Sequence, residues 1–275
     1  MSGLVTSGAA IDAARAEGRS SLITYLPVGF PSLEGTVAAA KAAIAGGSDV
    51  VELGLPYTDP MMDGETIQRA VEHSLGAGTK VSDVLRAVEE VAKTGAAVLV
   101  MTYWNPIFRY GISAWARDLA MAGGAGLITP DIIPEEADDW IAASDEHGLD
   151  RVFLVAPSST PERLKLTAEK TRGFVYAAST MGVTGERASV GALAEELVAN
   201  TRKAGADRVC LGLGVSNREQ AREIAGYSDG VIVGSAYVRA MFQSADADGS
   251  FTTDGVGSAA GRVAEELRAG IEDAK

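Results

Sequence analysis

The chain has 275 residues, 47% of them hydrophobic and 22% charged, with 32 Gly, 9 Pro and a single Cys. That apolar fraction excludes a disordered chain, the lone Cys excludes a disulfide scaffold, and no run approaches the ~20 uninterrupted apolar residues of a membrane span. The formal net charge of −13 repels nucleic acid and anionic membranes at long range, yet leaves an anionic small substrate open, since nearby backbone donors outweigh a distant net charge.

No basic stretch followed by an apolar one opens the chain, so a secretory signal is not expected. Ile11 to Glu17 reads as a short helix able to plug the bottom of a barrel. Eight short apolar runs follow: Leu22–Val28, Asp49–Leu55, Ala97–Tyr103, Gly126–Pro130, Arg151–Ala156, Phe174–Ser179, Arg208–Leu213 and Gly230–Gly234. Each is apolar on both faces, as parallel strands covered by helices must be. Helical segments alternate with them. Leu33 to Ala45 has Ser32 as N-cap and a Gly46-Gly47 stop; Ser82 to Lys93 carries Leu85, Val88 and Val91 at helical spacing. Pro134 to Glu146 opens with proline and acidic residues, and Val190 to Ala204 ends at Gly205. Cys210, inside an apolar run, reads as a small buried hydrophobe, and a reducing cytoplasm is the natural compartment. Ser235 opens a short helix through Phe242, Phe251 to Ser258 reads as a polar surface loop, and Gly257 to Ala274 as the closing helix.

Eight β/α units over this length predict one (β/α)₈ TIM barrel domain, residues 1–275, with an extra N-terminal helix and a short phosphate-site helix after the eighth run. The rival, an open doubly wound sheet, would place G-x-G-x-x-G after the first run, where Pro27-Val28-Gly29-Phe30-Pro31 stands.

Chemistry in such a barrel belongs at the C-terminal ends of the strands. Alternation in the second run puts Val50, Glu52 and Gly54 on one face and the bulky Val51, Leu53 and Leu55 on the other. The bulky face suits the helix layer, so Glu52 points into the barrel, as a functional carboxylate or as half of a structural ion pair. The long connection that follows holds Asp59 and Asp63, both in turn-forming contexts, and local sequence does not choose between them. Three glycine-bearing strand ends come late: Gly182-Val183-Thr184-Gly185, Gly212-Leu213-Gly214 and Gly234-Ser235. Glycines let backbone N–H groups approach an anion, and a helix N-terminus attracts it, so a small phosphorylated substrate is expected. His73 and His147 are isolated from any metal-ligand spacing, and no G-x-S-x-G elbow or Walker loop is present.

Val51-Glu52-Leu53-Gly54-Leu55-Pro56-Tyr57-Thr58-Asp59-Pro60, with Asp63-Gly64 and Ile67-Gln68-Arg69-Ala70, resembles the signature of the tryptophan synthase α subunit family. Met101-Thr102-Tyr103-Trp104-Asn105-Pro106, Gly126-Leu127-Ile128-Thr129-Pro130-Asp131 and the Gly182–Gly185 stretch extend the resemblance from about Leu22 to Gly234. It implies a barrel lyase of tryptophan biosynthesis that cleaves indole-3-glycerol phosphate to indole and D-glyceraldehyde 3-phosphate. It also implies no cofactor in this subunit and passage of indole to a pyridoxal-phosphate-dependent β subunit in a cytoplasmic αββα complex. By the same resemblance Glu52 is the acid–base glutamate and Asp63 the aspartate that bonds the indole N–H, while Asp59 becomes a loop residue. Tyr176 lies against the glutamate, and Tyr25, Met101 and Ile128 line the indole pocket. Gly185, Gly214, Gly234 and Ser235 resemble the phosphate-binding set, with Thr184 among the substrate contacts. The chain departs from the family pattern at Glu65, where proline is common after Asp-Gly, and at Pro27, where threonine is usual. The competing readings are a binding protein that mainly activates the β subunit, and a stand-alone lyase releasing free indole or another phosphate-binding barrel isomerase or lyase; intact Glu52 and Asp63 argue against the activator.

Overall fold

The computed structural model describes residues 4–178 and 187–274. Its strands are β1 (Ser21–Pro27), β2 (Val50–Gly54), β3 (Ala97–Met101), β4 (Gly126–Ile128), β5 (Asp150–Val152), β6 (Leu154–Val155), β7 (Val175–Ala178), β8 (Val209–Gly212) and β9 (Gly230–Val233). They form one parallel sheet in the order β5-β4-β3-β2-β1-β9-β8-β7-β6. The two ends of that order are halves of a single run. Arg151–Ala156, expected as one strand, is broken at Phe153, whose carbonyl accepts the Tyr176 N–H at 3.0 Å. The ends of the sheet therefore meet, and the eight runs make the expected barrel.

Alternation sorts each strand into two populations. Leu22, Leu26, Val51, Leu53, Val98, Val100, Leu211 and Val231 face outward into the larger apolar cluster beneath the helices. Ile23, Val50, Leu99, Ile128, Val152, Phe174, Cys210 and Ile232 fill the barrel itself, together with Ile11.

The helices are α1 (Ser7–Ala16), α2 (Leu33–Ala45), α3 (Glu65–Gly76), α4 (Val81–Ala92), α5 (Trp104–Tyr110), α6 (Ile112–Met121), α7 (Asp138–His147), α8 (Pro161–Lys170), α9 (Arg187–Lys203), α10 (Arg218–Ala225), α11 (Ser235–Gln243) and α12 (Thr253–Glu272). The expected Ser32 cap of α2 is present, accepting from the Gly35 N–H at 3.0 Å. Pro134 to Glu146, expected as one helix, is instead a 3₁₀ turn, Pro134–Glu136, followed by α7. The segment Phe251 to Ser258 is not a surface loop. Thr252 caps Gly255 and starts α12 at once, and Val256 and Gly257 are buried. Its small residues let α12 lie close on α2: a Cβ at Gly257 would sit 3.6 Å from the Ala38 carbonyl oxygen. The approach is tightest where α2 ends, since a Cβ at Gly46 would sit 2.7 Å from the Gly261 carbonyl oxygen of α12.

α1 is the plug foreseen over Ile11 to Glu17, begun four residues earlier because Thr6 caps the Ala9 N–H. Ser7 donates from its N–H and its hydroxyl to Asp150 Oδ2 at 2.7 and 2.6 Å, and Arg208 pairs with Asp12. Ile11, fully buried, closes the bottom of the barrel. Ile11→Ala is expected to destabilise the fold by about 2–4 kcal/mol through the cavity it leaves, read as a lowered urea midpoint at unchanged slope.

Candidate active site

Toward the opposite end of the barrel stand two carboxyl groups with no counter-ion among the described residues. Glu52 occupies the inner face of β2, in register with Tyr25 on β1 and Leu99 on β3. It is fully buried, and neither carboxylate oxygen has a hydrogen-bond partner among the described residues. Burial alone pushes its pKa up to about 8. Among the described residues no cation meets the group, which speaks against the ion-pair alternative, and burial keeps the Glu52 proton on at neutral pH.

Asp63 arrives from the connection after β2, which the structure ties down at several points. The Tyr103 hydroxyl oxygen accepts the Met61 and Met62 N–H groups at 2.6 and 2.9 Å, and Gln68 on α3 donates to the Asp63 carbonyl at 2.8 Å. Tyr57 packs on Tyr103 with ring centroids 5.3 Å apart, and Asn105 donates to its hydroxyl at 3.3 Å. Asp63 is thereby half-buried, and desolvation pushes its pKa up to about 6. Its charge acts on Tyr25, Tyr103 and Tyr176. Asp59, four residues earlier, is exposed and accepts only from its neighbour Thr58 at 2.6 Å. Of the two aspartates between which the local sequence did not choose, Asp63 shares the barrel mouth with Glu52.

The side chains expected to line the pocket take the following places. Met101 pairs with Ile128 across β3 and β4, and both pack on the barrel interior. Tyr176 on β7 is in register with Leu154 on β6, and burial followed by the Glu52 charge holds its hydroxyl well above the usual range. Leu154 and Tyr103 were not singled out from the sequence. Leu154 was accessible by alternation, two residues after the inward Val152; Tyr103 was not, because its partners are backbone N–H groups on another loop. Tyr25 spans from β9 to β2: a Cβ at Gly234 would lie 2.9 Å from its ring, and one at Gly54 only 2.3 Å from its hydroxyl oxygen.

At the far side of the mouth, Gly212 pairs with Ile232, so Gly214 and Gly234 both lie two residues beyond one register position of β8 and β9. Gly214 is exposed with φ +68°, a left-handed conformation that favours glycine. Gly234 precedes α11, whose first residue is Ser235 and whose N-terminus has no side-chain cap. Its free N–H groups and helix dipole suit an anion. Thr184 and Gly185 lie outside the described residues. Among the described residues, no group of three or more His, Cys, Asp or Glu could hold a metal ion.

Because the folded chain binds the Glu52 proton more tightly than the unfolded one, this group favours folding most below a pH of about 4.5, and that support is lost as pH rises through about 8. Glu52→Gln is therefore expected to flatten the stability profile between these limits and to be more stable than the parent at pH 8.5, by about 2–4 kcal/mol, in urea titrations at a series of pH values.

A family model described as tryptophan synthase alpha chain matches residues 11–264. The tryptophan synthase alpha chain of Mycobacterium marinum is 59% identical over 234 residues, 85% of this chain and 87% of that protein. That of Mycobacterium avium is 54% identical over 264 residues, 96% of this chain and 93% of that protein. Among solved structures, ligand-free tryptophan synthase from M. tuberculosis superposes with a TM-score of 0.85 at 48% identity, covering 97% of this chain and 99% of that one. With a family model over most of its length, relatives more than half identical across most of both chains and the same barrel, the chain belongs to the tryptophan synthase alpha chain family.

Proposed function

We propose that Glu52 and Asp63 divide between them the cleavage of indole-3-glycerol phosphate in this chain. The enzyme is a carbon–carbon lyase: a retro-aldol step breaks the bond between indole C3 and the adjoining glycerol carbon and yields indole and D-glyceraldehyde 3-phosphate. The indole ring is a poor leaving carbanion, so C3 must first be protonated. A buried glutamic acid that keeps its proton up to about pH 8 can supply it. Protonation at C3 leaves positive charge on the ring nitrogen, which the Asp63 carboxylate, accepting the N–H hydrogen bond, stabilises. Glu52, now a carboxylate, takes the proton of the glycerol hydroxyl; the C–C bond breaks, its electron pair returns to the ring, and the aldehyde forms. The phosphate rests on Gly214, Gly234, Ser235 and the first turn of α11, with Thr184 and Gly185 assigned to the substrate by their motif. Tyr25, Met101, Ile128 and Tyr176 line the indole side. The observation that carries the reading is the partnerless Glu52 carboxyl buried at the mouth beside half-buried Asp63.

The same reading makes the chain a single barrel domain, cytoplasmic and without a cofactor of its own. A β subunit carrying pyridoxal phosphate would take the indole in an αββα assembly. Support comes from apolar side chains left exposed after β2 and β3, Met61 at 82% in the connection that carries Asp63 and Phe108 at 68% on α5, with Ile133 nearby in sequence to Asp131. No helix among the described residues is long and apolar enough to cross a membrane.

Purified chain incubated with indole-3-glycerol phosphate is expected to release glyceraldehyde 3-phosphate slowly, faster once the β subunit is added, and at least about 100-fold more slowly in Glu52→Gln. Full turnover without the β subunit would instead favour a stand-alone lyase, and no product in either condition would sink the reading. A plot of kcat/KM against pH is expected to be bell-shaped. The acid limb, near 6, follows ionisation of Asp63; the basic limb, near 8, follows loss of the Glu52 proton.

A further inference from the structure

Apolar burial does not draw the stretch before Asp63 toward the barrel, since Asp59 is exposed and Met61 is 82% exposed. Its backbone is held instead, from two different elements. Tyr103, at the end of β3, accepts the consecutive N–H groups of Met61 and Met62 on one oxygen, at 2.6 and 2.9 Å. Gln68, on α3, donates to the Asp63 carbonyl at 2.8 Å. The two contacts bracket the Asp63 Cα, one before it in the chain and one after. A hydroxyl oxygen offers the two lone pairs that two amides require, and an amide left without an acceptor away from water is costly. Tyr103 is itself fixed. It is buried, its ring packs on Tyr57, and the N–H of the next residue, Trp104, donates to both carboxylate oxygens of Asp131 at 2.8 and 3.0 Å.

We propose that Tyr103 and Gln68 are positioning residues for Asp63: by gripping the backbone on either side of it, they set how deep its carboxylate sits in the mouth and where it points. The inference rests on the assignment of Asp63 to the cleavage. A carboxylate that must meet one ring nitrogen loses much of its effect when displaced by about 1 Å. Depth also has a titration signature. Desolvation is what raises Asp63 to about 6, so the group, released toward water, returns toward its ordinary value of 3.8. The titratable groups around it are Tyr25 from β1, Tyr103 from the end of β3 and Tyr176 from β7, each of which feels its charge. Glu52 on β2 acts on Tyr25 and Tyr176, and Asp131 acts on Tyr103. None of these groups is a cation, so a change in the Asp63 titration reads its burial.

The test is Tyr103→Phe and, separately, Gln68→Met in the full chain, since each keeps the bulk of the side chain and removes the bonding group. The Asp63 titration is followed in the chain alone by carbon NMR of the carboxyl groups, its signal assigned by its absence from Asp63→Asn. Cleavage of indole-3-glycerol phosphate is measured in parallel, with and without the β subunit, from about pH 4.5 to 9. In both variants the Asp63 pKa is expected to fall by at least about one unit, and the acid limb of kcat/KM to move down with it. Turnover, kcat, is expected to fall about tenfold while KM stays within about twofold. An unmoved Asp63 titration would overturn the proposal, whether the melting temperature falls or KM rises, because the two groups would then support the fold or bind substrate. A lowered titration with parent-like kcat would overturn it as well. The NMR titration does not depend on turnover, so the two readings fail separately. Asp63→Asn turning over like the parent sinks the assignment and the positioning role with it; an unmoved titration beside an inactive Asp63→Asn sinks this inference alone.

Discussion

A carboxyl group in a closed apolar space with no partner is the constraint on which the rest of this structure turns. Such a group resists ionisation and, left to itself, would drag the fold open toward water. Glu52 stays where it is because β2 is bonded on both sides, to β1 and β3, within a sheet whose ends meet at Phe153. A barrel without an edge has no strand free to swing outward. The stabilisation that holds it comes from elsewhere, from the outward-facing aliphatic layer beneath the helices and from α1 seated in the bottom.

The two ends of the barrel treat the same residue type in opposite ways. At the bottom, Asp49 accepts two bonds from Arg19, both at 2.8 Å, and one from the Leu22 N–H. Asp229 accepts from Arg15 and from the Val209 N–H, and Asp150 from Ser7. These aspartates begin strands and are satisfied by the neighbouring strand or by α1, so they serve the architecture. At the top, Glu52 and Asp63 meet tyrosines and apolar side chains rather than arginines, and burial raises both. Their two values stand apart because one group is sealed inside a strand and the other sits on a loop still partly open to water. On the proposed reading, that separation lets one act as acid while the other remains a base.

Tyrosines mediate between the strands and the loops of the mouth. Tyr103 receives the backbone of the Asp63 loop, Tyr176 stands by Glu52, and Tyr25 crosses from Gly234 to Gly54. A phenol suits this work because its ring packs like a hydrophobe while its oxygen accepts and donates. The glycines near them serve two ends. Gly234 leads into the uncapped first turn of α11 and also leaves room for the Tyr25 ring, so on the proposed reading the phosphate end and the indole end of the cleft would share a residue.

The barrel was legible in the chain because its cause is local: apolar runs at strand length separated by amphipathic segments describe strands buried on both faces wherever they occur. The inward aim of Glu52 followed from alternation, and the glycines at the strand ends motivated the proposed anion site. What stayed hidden depended on contacts between distant segments. The break at Phe153 is set by the two neighbours between which that run must divide its hydrogen bonds. The start of α12 was masked because Gly and Ser suit a loop and a close-packed helix face equally, and only α2 decides between them. Asp59 and Asp63 carry the same turn chemistry, so their order in the chain says nothing of their environments. Tertiary structure separated them: Tyr103, forty residues away, and Gln68 on α3 hold Asp63 toward the mouth and leave Asp59 in water. By itself the sequence determined which residue types were available and which face of each strand they occupy, because periodicity is a property of a single segment. Burial, and with it the protonation state that makes a carboxyl an acid or a base, is a property of the whole assembly, and only the closed barrel decided it.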